Sequence, residues 1–248
     1  RAECIAARHN DAGSVAQEIV RWRRSGGRGR VWIAVESLYS MDGDIAPVDD
    51  LAGIAQRNDA MLVIDEAHAT GVLGPEGRGL AAHLEGREHV ISLHTCGKAL
   101  GAAGGLVCAS RTICDFLVNR GRAFVFSTAP PPLQAATVRA ALVLCRNAPE
   151  RRERLARLVE YAGRELNQCC GLAASGTQII PVIVGAETRT MELAAALQAR
   201  GFDVRGVRPP TVPAGTSRLR IAITLNVDQA QINALVRALG VELAERAA

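Results

Sequence analysis

Lysine is almost absent from this sequence. Of the 29 basic residues in 248, one is lysine, Lys98, and the other 28 are arginine. Aromatic residues make up 3% of the chain, and the basic residues are spread along it at a net charge of +4. A nucleic-acid module needs a concentrated basic patch and stacking rings, so both shortages argue against that class. The seven cysteines (Cys4, Cys96, Cys108, Cys114, Cys145, Cys169 and Cys170) are odd in number and never form a C-x-x-C pair. That spacing gives no reason to expect a metal site, and free thiols set in apolar runs suit a reducing cytoplasm. The uncharged stretch from Gln168 to Ala186 carries Gln168, Ser175, Thr177, Gln178 and Pro181 among its glycines, which is wrong for a membrane-spanning helix. No signal peptide is visible, and the opening "RAECIAARHND" lacks an initiator methionine, so the chain reads as a fragment.

What is present is enough for a core. At 48% hydrophobic and 22% charged residues, the chain suits one large domain or two small ones. The solitary lysine then has two readings. An arginine bias in base composition leaves a stray lysine by chance. Alternatively, the position needs an amine that can lose its proton when desolvated, which a guanidinium does not do. Its neighbours have to decide.

Short β-rich runs alternate with helical patterns. "VWIAVES" (31–37), "MLVIDEA" (61–67), "VISLHT" (90–95) and "GLVCAS" (105–110) read as strands, several of them apolar on both faces. "PVDDLAGIAQRND" (47–59) and "RTICDFLVNRGR" (111–122) read as helices, and "FVFST" (124–128) as a further short strand. This predicts an α/β unit with a largely parallel sheet over residues 1–132. After "APPP" the texture changes. A long helical stretch from about Leu133 to Asn167 precedes "QIIPVIVG" (178–185), "TMELAAALQARG" (190–201), "FDVRGV" (202–207), "RLRIAIT" (218–224) and a helix from Asp228. Residues 133–248 are therefore expected to form a smaller α+β domain.

Around Lys98 the dipeptide Gly97-Lys98 invites a phosphate-loop reading. A Walker A loop requires glycine at 92 and serine or threonine at 99, where this chain has Ser92 and Ala99. Other expected strand ends carry chemistry. "LVIDEAHATG" puts Asp65 and His68 at the carboxyl end of one strand, and "ESLYSMDGD" puts Ser40, Asp42 and Asp44 just past another. Ligands gather outside the carboxyl ends of strands in open α/β sheets. Asp65 alone reads as a loop cap and His68 alone as a core histidine. Together with a unique lysine they suggest a cofactor cradle.

The segments "VESLYSMDGDIAPVDDL", "VIDEAHATGVLGPEGRG", "TCGKALGAAGG", "FVFSTAPPP" and "RPPTVPAGTSRLRI" resemble the α-oxoamine synthases, fold-type I pyridoxal-phosphate enzymes, in order and spacing over essentially the whole chain. The resemblance implies the carboxyl-terminal part of the family's large cofactor-binding domain (1–132) followed by its small α+β domain (133–248). It makes Lys98 the Schiff-base lysine and sets Asp65 against the pyridine nitrogen. It puts His68 at the ring's phenolic oxygen and Ser40 and Thr95 near the ring and phosphate. Thr128 would reach the cofactor of a partner subunit, which implies a homodimer. Thr211 would contact substrate, with Arg208 and Arg220 as candidates for gripping a carboxylate, although an ordinary surface role rivals this in so arginine-rich a chain.

The implied reaction is a decarboxylative condensation of an amino acid with an acyl thioester carried on coenzyme A or a carrier protein. "RPPTVPAGTSRLRI" favours the biotin-pathway branch, with L-alanine and a pimeloyl thioester, over sister enzymes that use glycine. Two departures stand out. His94 and Cys96 occupy positions where the family more often has small or apolar residues; His94 either crowds the site or points away from it. The family also extends further at its amino end by roughly a third of its length, including a ring-stacking histidine and a glycine-bearing phosphate loop. These 248 residues alone are accordingly expected to be inactive and to release cofactor, leaving at most a dimerising partner, with an exposed neighbour edge beside central strands such as "MLVIDEA".

Overall fold

Two sheets result from this alternation, one in each of two compact units. The computed structural model describes residues 3–245. The first unit holds residues up to 38 together with 45–149, and the second holds 39–44 together with the chain from 150 onward.

In the first unit, helix α1 (Ala12–Arg24) starts where the Asp11 carboxylate accepts from the Ser14 amide at 2.8 Å. That bond, with Arg8 adding to it, holds the Asp11 carboxyl below the usual carboxylate range. Strand β1 (Trp32–Glu36), helix α2 (Val48–Arg57), strands β2 (Met61–Asp65), β3 (Val90–Thr95) and β4 (Gly105–Ala109), and helices α3 (Arg111–Arg120), α4 (Arg122–Val125) and α5 (Pro132–Arg146) follow. The strands lie in the order β1-β2-β3-β4. β1, β2 and β3 run parallel, with Glu36 opposite Asp65 and Asp65 opposite Leu93. Leu62 and Ile64 on one face of β2 are fully buried, and on the other face Met61 is buried and Val63 half-buried, so the near-continuous apolar run marks a strand covered on both faces. α2 packs on β2, and α1 packs on α2.

The structure departs from the sequence reading at "FVFST" and at the end of the first unit, and it adds the direction of β4 to a sheet that is otherwise parallel. β4 is antiparallel to β3, with Ser92 opposite Cys108 and Thr95 opposite Gly105. The link from Cys96 to Gly104 is too short for the crossover a parallel strand requires. "FVFST" is not a strand. Its backbone closes locally instead, with Phe124 and Val125 donating to Gly121 O and Phe126 to Arg122 O, and Phe124 and Phe126 are exposed. The neighbour edge expected beside "MLVIDEA" is there: β2 is paired on both sides, and the unpaired sides of the sheet belong to β1, its neighbour, and to β4 among the described residues. Finally, the long helical stretch breaks at Asn147, and the two units divide after Pro149 instead of after 132. α5 stays with the first unit because Val138 packs against Cys96 and Leu100.

The second unit contains α6 (Pro149–Cys170), β5 (Ile179–Gly185), α7 (Glu187–Ala199), β6 (Arg205–Val207), β7 (Ser217–Ala222) and α8 (Gln229–Glu245). Its sheet is antiparallel throughout, in the order β5-β7-β6. Leu193, Leu197, Leu219 and Leu239 are fully buried at the centre of an apolar cluster drawn from α6, α7, α8 and the sheet. Segment 39–44 is held to this unit by the Thr177 hydroxyl, which donates to Gly43 O at 2.7 Å.

The two ends of the burial scale give a first test. Leu219→Ala opens a cavity in the second core and is expected to cost about 2–5 kcal/mol in urea unfolding. Leu144, 68% exposed on α5, serves as the control, and Leu144→Ala is expected to shift stability by less than about 0.5 kcal/mol.

Candidate active site

Three parallel strands end together at Glu36, Asp65 and Thr95, and the chemistry of the first unit collects where β2 and β3 stop. Asp65 is the last residue of β2. Its Oδ1 accepts from the Ala67 amide at 2.8 Å, so the carboxylate does cap its own loop, with Oδ2 left for another donor. His68 lies three residues on, partly buried. Beyond β3, the chain makes a tight turn from Cys96 to Gly104. Cys96 N donates to Gly104 O, Ala102 N to Cys96 O and Gly101 N to Lys98 O. Lys98 rides on this turn, and its Nζ lies 3.0 Å from His68 Nε2. The structure thus brings the lysine and the histidine into direct contact across 30 residues of sequence. The lysine is exposed, not desolvated as its uniqueness suggested.

The turn can approach the β2 loop because of one glycine. Gly71 has φ +79°, and a Cβ there would stand 2.7 Å from the Ala99 side chain, beside Lys98. Thr95, the end of β3, accepts a long bond from the Gly97 amide at 3.4 Å. Thr128 is exposed in the irregular segment after α4.

Sequence reasoning passed over Glu66. This carboxylate is fully buried and accepts from the Ser37 hydroxyl at 2.6 Å, the Leu80 amide at 3.1 Å and the Ala81 amide at 2.5 Å. Gly79 (φ +100°) permits the approach, since a Cβ there would stand 2.6 Å from the carboxyl carbon. The signal was available: a charge inside an otherwise apolar run is a buried charge that must be paired. Cys96, a departure from the family pattern, is simply core, packed with Leu100 and Val138. His94 points to the sheet face opposite Thr95, as strand alternation requires, and is buried there.

The remaining expected residues lie in the second unit. Arg220 Nε donates to Ser40 O at 2.7 Å, which joins two of the sequence candidates. Arg218, which the sequence reading did not single out, is buried. It pairs with Asp42 at 2.5 Å and donates to Met41 O at 3.1 Å. Arg208 and Thr211 are exposed on the turn after β6, where the Thr211 amide donates to Arg208 O.

A family model described as aminotransferase class I and II matches residues 6–239. An 8-amino-7-oxononanoate synthase of Anaeromyxobacter dehalogenans (strain 2CP-C) is 43% identical over 241 residues, covering 96% of this chain and 60% of that protein. The Chromobacterium violaceum protein of the same name is 41% identical over 237 residues, covering 95% and 61%. Among solved structures, a serine palmitoyltransferase from S. paucimobilis with bound PLP-myriocin aldimine matches with a TM-score of 0.87 at 27% identity, covering 98% of this chain and 61% of that one. A Francisella tularensis 8-amino-7-oxononanoate synthase shares the fold at 24% identity, with a TM-score of 0.76 over 94% of this chain and 68% of its own. The chain spans about 60% of the length of the curated relatives it matches.

The Glu66 cluster can be tested by itself. Glu66→Gln sets an amide NH2 against donors that need an acceptor, and is expected to cost about 2 kcal/mol in chemical unfolding. Glu66→Ala leaves all three donors unmatched and should cost more, with proteolytic nicking at 74–80 rising in step. Unfolding curves that overlay the parent would remove Glu66 from its organising role.

Proposed function

Because the chain belongs to the aminotransferase class I and II family, we propose that it works as a pyridoxal-phosphate-dependent acyltransferase, joining an amino acid to an acyl thioester with loss of carbon dioxide. The observation that carries the proposal is the contact between the only lysine of the sequence and His68, 3.0 Å apart beyond the carboxyl ends of the parallel strands β2 and β3.

The donor set of the first unit fits pyridoxal phosphate: an accessible primary amine, an imidazole touching it, and a carboxylate with an oxygen to spare. When bound, that cofactor supplies an aldehyde and an electron-withdrawing ring. Lys98 is the amine for the aldehyde. With the cofactor bound, the same amine would be placed to take the α-proton of the amino acid, a role closed to arginine. His68 Nε2, 3.0 Å from Nζ, is the group we assign to orienting the amine. Asp65 Oδ2 is the group we assign to a protonated ring nitrogen, with His68 also serving the ring's oxygen. Thr95 and Ser40 are assigned to the cofactor's ring and phosphate, and Thr128 to the cofactor of a second subunit, which makes the working form a homodimer. Thr211 and Arg208 are exposed and take the substrate side. Arg220, which donates to Ser40 O, is assigned to the substrate carboxylate.

For substrates we propose L-alanine and a pimeloyl thioester on coenzyme A or a carrier protein, giving 8-amino-7-oxononanoate. Support comes from the names of curated relatives at 41% and 43% identity, against 27% for the serine palmitoyltransferase structure. No helix among the described residues is long and apolar enough to cross a membrane. All seven cysteines are free thiols, and we assign the protein to a reducing cytoplasm, with neither nucleic acid nor membrane as partner.

Borohydride reduction of protein expressed from its full gene with pyridoxal phosphate, followed by peptide mapping, should place the pyridoxyl mass on the Lys98 peptide, and Lys98→Arg should abolish the label. A label elsewhere, or none, defeats the assignment and leaves a non-catalytic dimerising chain. In a competition assay on protein expressed from its full gene, turnover with L-alanine and pimeloyl thioester should exceed that with glycine and acetyl or succinyl thioesters at least tenfold. Preference for glycine would move the protein to a sister activity with the same fold and cofactor.

A further inference from the structure

Behind the lysine turn, on the other face of the sheet, lies a polar cluster that the proposed reaction does not use. Ser92 and His94 alternate on β3 and so share a face, and Cys108 stands opposite Ser92 on β4. Glu85, from the loop before β3, covers them. His94 is 7% exposed and the Glu85 side chain 17%. His94 Nε2 lies 3.1 Å from Glu85 Oε1 and 3.2 Å from Ser92 Oγ, and His94 Nδ1 lies 2.8 Å from Thr70 Oγ1.

The hydrogen bonds decide which ring nitrogen carries the proton. The Thr70 hydroxyl has one hydrogen, and it is donated to Glu66 O at 2.7 Å. Thr70 Oγ1 must therefore accept from His94, so the proton sits on Nδ1. That leaves the Nε2 lone pair facing a carboxylate oxygen, two acceptors 3.1 Å apart in a buried place. Ser92 does not resolve the conflict, because its single hydrogen is directed to Glu85 Oε1 at 3.3 Å. Something positive belongs between Nε2 and Oε1. A proton would satisfy these two atoms only. A metal ion would also satisfy Cys108, whose Sγ lies with a His94 ring nitrogen and a Glu85 oxygen in a set all within 4.8 Å of one another.

We propose that Glu85, His94 and Cys108 form a binding site for a borderline-soft divalent cation, zinc, with Ser92 Oγ or a water in the fourth position. The donor chemistry matches: imidazole, thiolate and carboxylate are the zinc ligands, and bonds of about 2.0–2.3 Å in a tetrahedron space donor atoms about 3.3–3.7 Å apart. Two of the three donors already sit near that spacing, and the side chains need close in by only about 1 Å. The outer contacts are those of a ligating histidine and carboxylate as well. Thr70 fixes the Nδ1–H tautomer, and Arg78 holds the second Glu85 oxygen at 2.9 Å. Glu85 and Cys108 are only partly buried, which leaves the ion a way in. Burial, with Glu85 nearby, pushes the Cys108 thiol up, so the ion must displace the thiol proton on binding. The site stands independently of the proposed reaction, and its effect would be to clamp the β3–β4 pair that carries the Lys98 turn.

Titration with Co2+ as a spectroscopic probe tests this directly. Stoichiometric Co2+ should produce a thiolate-to-cobalt charge-transfer band and tetrahedral visible bands, both displaced by Zn2+. Cys108→Ala should abolish the charge-transfer band, whereas Cys114→Ala should keep it. His94→Gln should weaken Co2+ binding at least tenfold, and Thr70→Val, which touches the ion only through His94, should also weaken it about tenfold. A second measurement needs no variant: Zn2+ should slow iodoacetamide labelling of Cys108 at least tenfold in the parent protein while leaving exposed Cys4 unchanged. Absence of the band at several equivalents of Co2+, its survival in Cys108→Ala, or Cys108 labelling indifferent to zinc would each overturn the site and leave His94 and Glu85 as a proton-bridged pair.

Discussion

The buried carboxylate of Glu66 is the constraint on which the first unit's chemistry depends. It sits between Asp65 and His68 in sequence and gathers three donors from outside β2: the hydroxyl just past β1 and two amides of the glycine-bearing loop. A carboxylate taken out of water this completely is tolerable only when its acceptor positions are filled. Glu66 therefore holds the ends of two strands and a loop in one arrangement. Asp65 on one side and His68 on the other inherit their positions from it. Gly79 is part of the same requirement, because any side chain there would collide with the carboxyl group.

Lys98 reaches the same place from the next strand. Its turn is closed by backbone bonds of its own and pressed against the β2 loop at Gly71, so the meeting of Nζ and Nε2 follows from how two loops fit together. The uniqueness of the lysine drew attention to a residue that the structure sets against His68 but leaves exposed. Desolvation was the expected source of reactivity. The structure instead places an imidazole beside an exposed amine.

What could be read in advance divides along physical lines. β2 was legible because both of its faces are buried, so apolar character alone marks it. α2 was legible because Pro47 and the acidic first turn announce a helix start. β4 could be found but not oriented, since direction depends on the length of the preceding link, and apolar character says nothing of it. "FVFST" misled because β-branched and aromatic residues suit a pleated surface only when a neighbouring strand is there to bond, whereas here Gly121 starts a turn of helix. α1 was missed although Asp11 and Ser14 form a readable cap. In the site, Asp65, His68 and Lys98 were legible as strand-end chemistry. Arg218 was not, because one arginine among 28 carries no signal until its burial is known. The Glu85–His94–Cys108 cluster was illegible for a stricter reason. Its members are joined by antiparallel register and a covering loop, and no spacing rule connects positions 85, 94 and 108.

That cluster and the lysine turn are joined through the sheet. Glu66 O accepts from the Thr70 hydroxyl, Thr70 accepts from His94, and His94 faces Glu85. The residue after His94 is Thr95, on the opposite face, and three positions further along is Lys98. Because successive side chains of a strand point to opposite faces, fixing His94 from behind also fixes the plane in which β3 delivers its last residue in front. A small histidine-to-alanine loss behind the sheet would thus remove a restraint on where the lysine turn begins, without touching anything the lysine touches. His94, which looked in the sequence like an intrusion into the site, is better understood as the support that holds the site's strand from its far side.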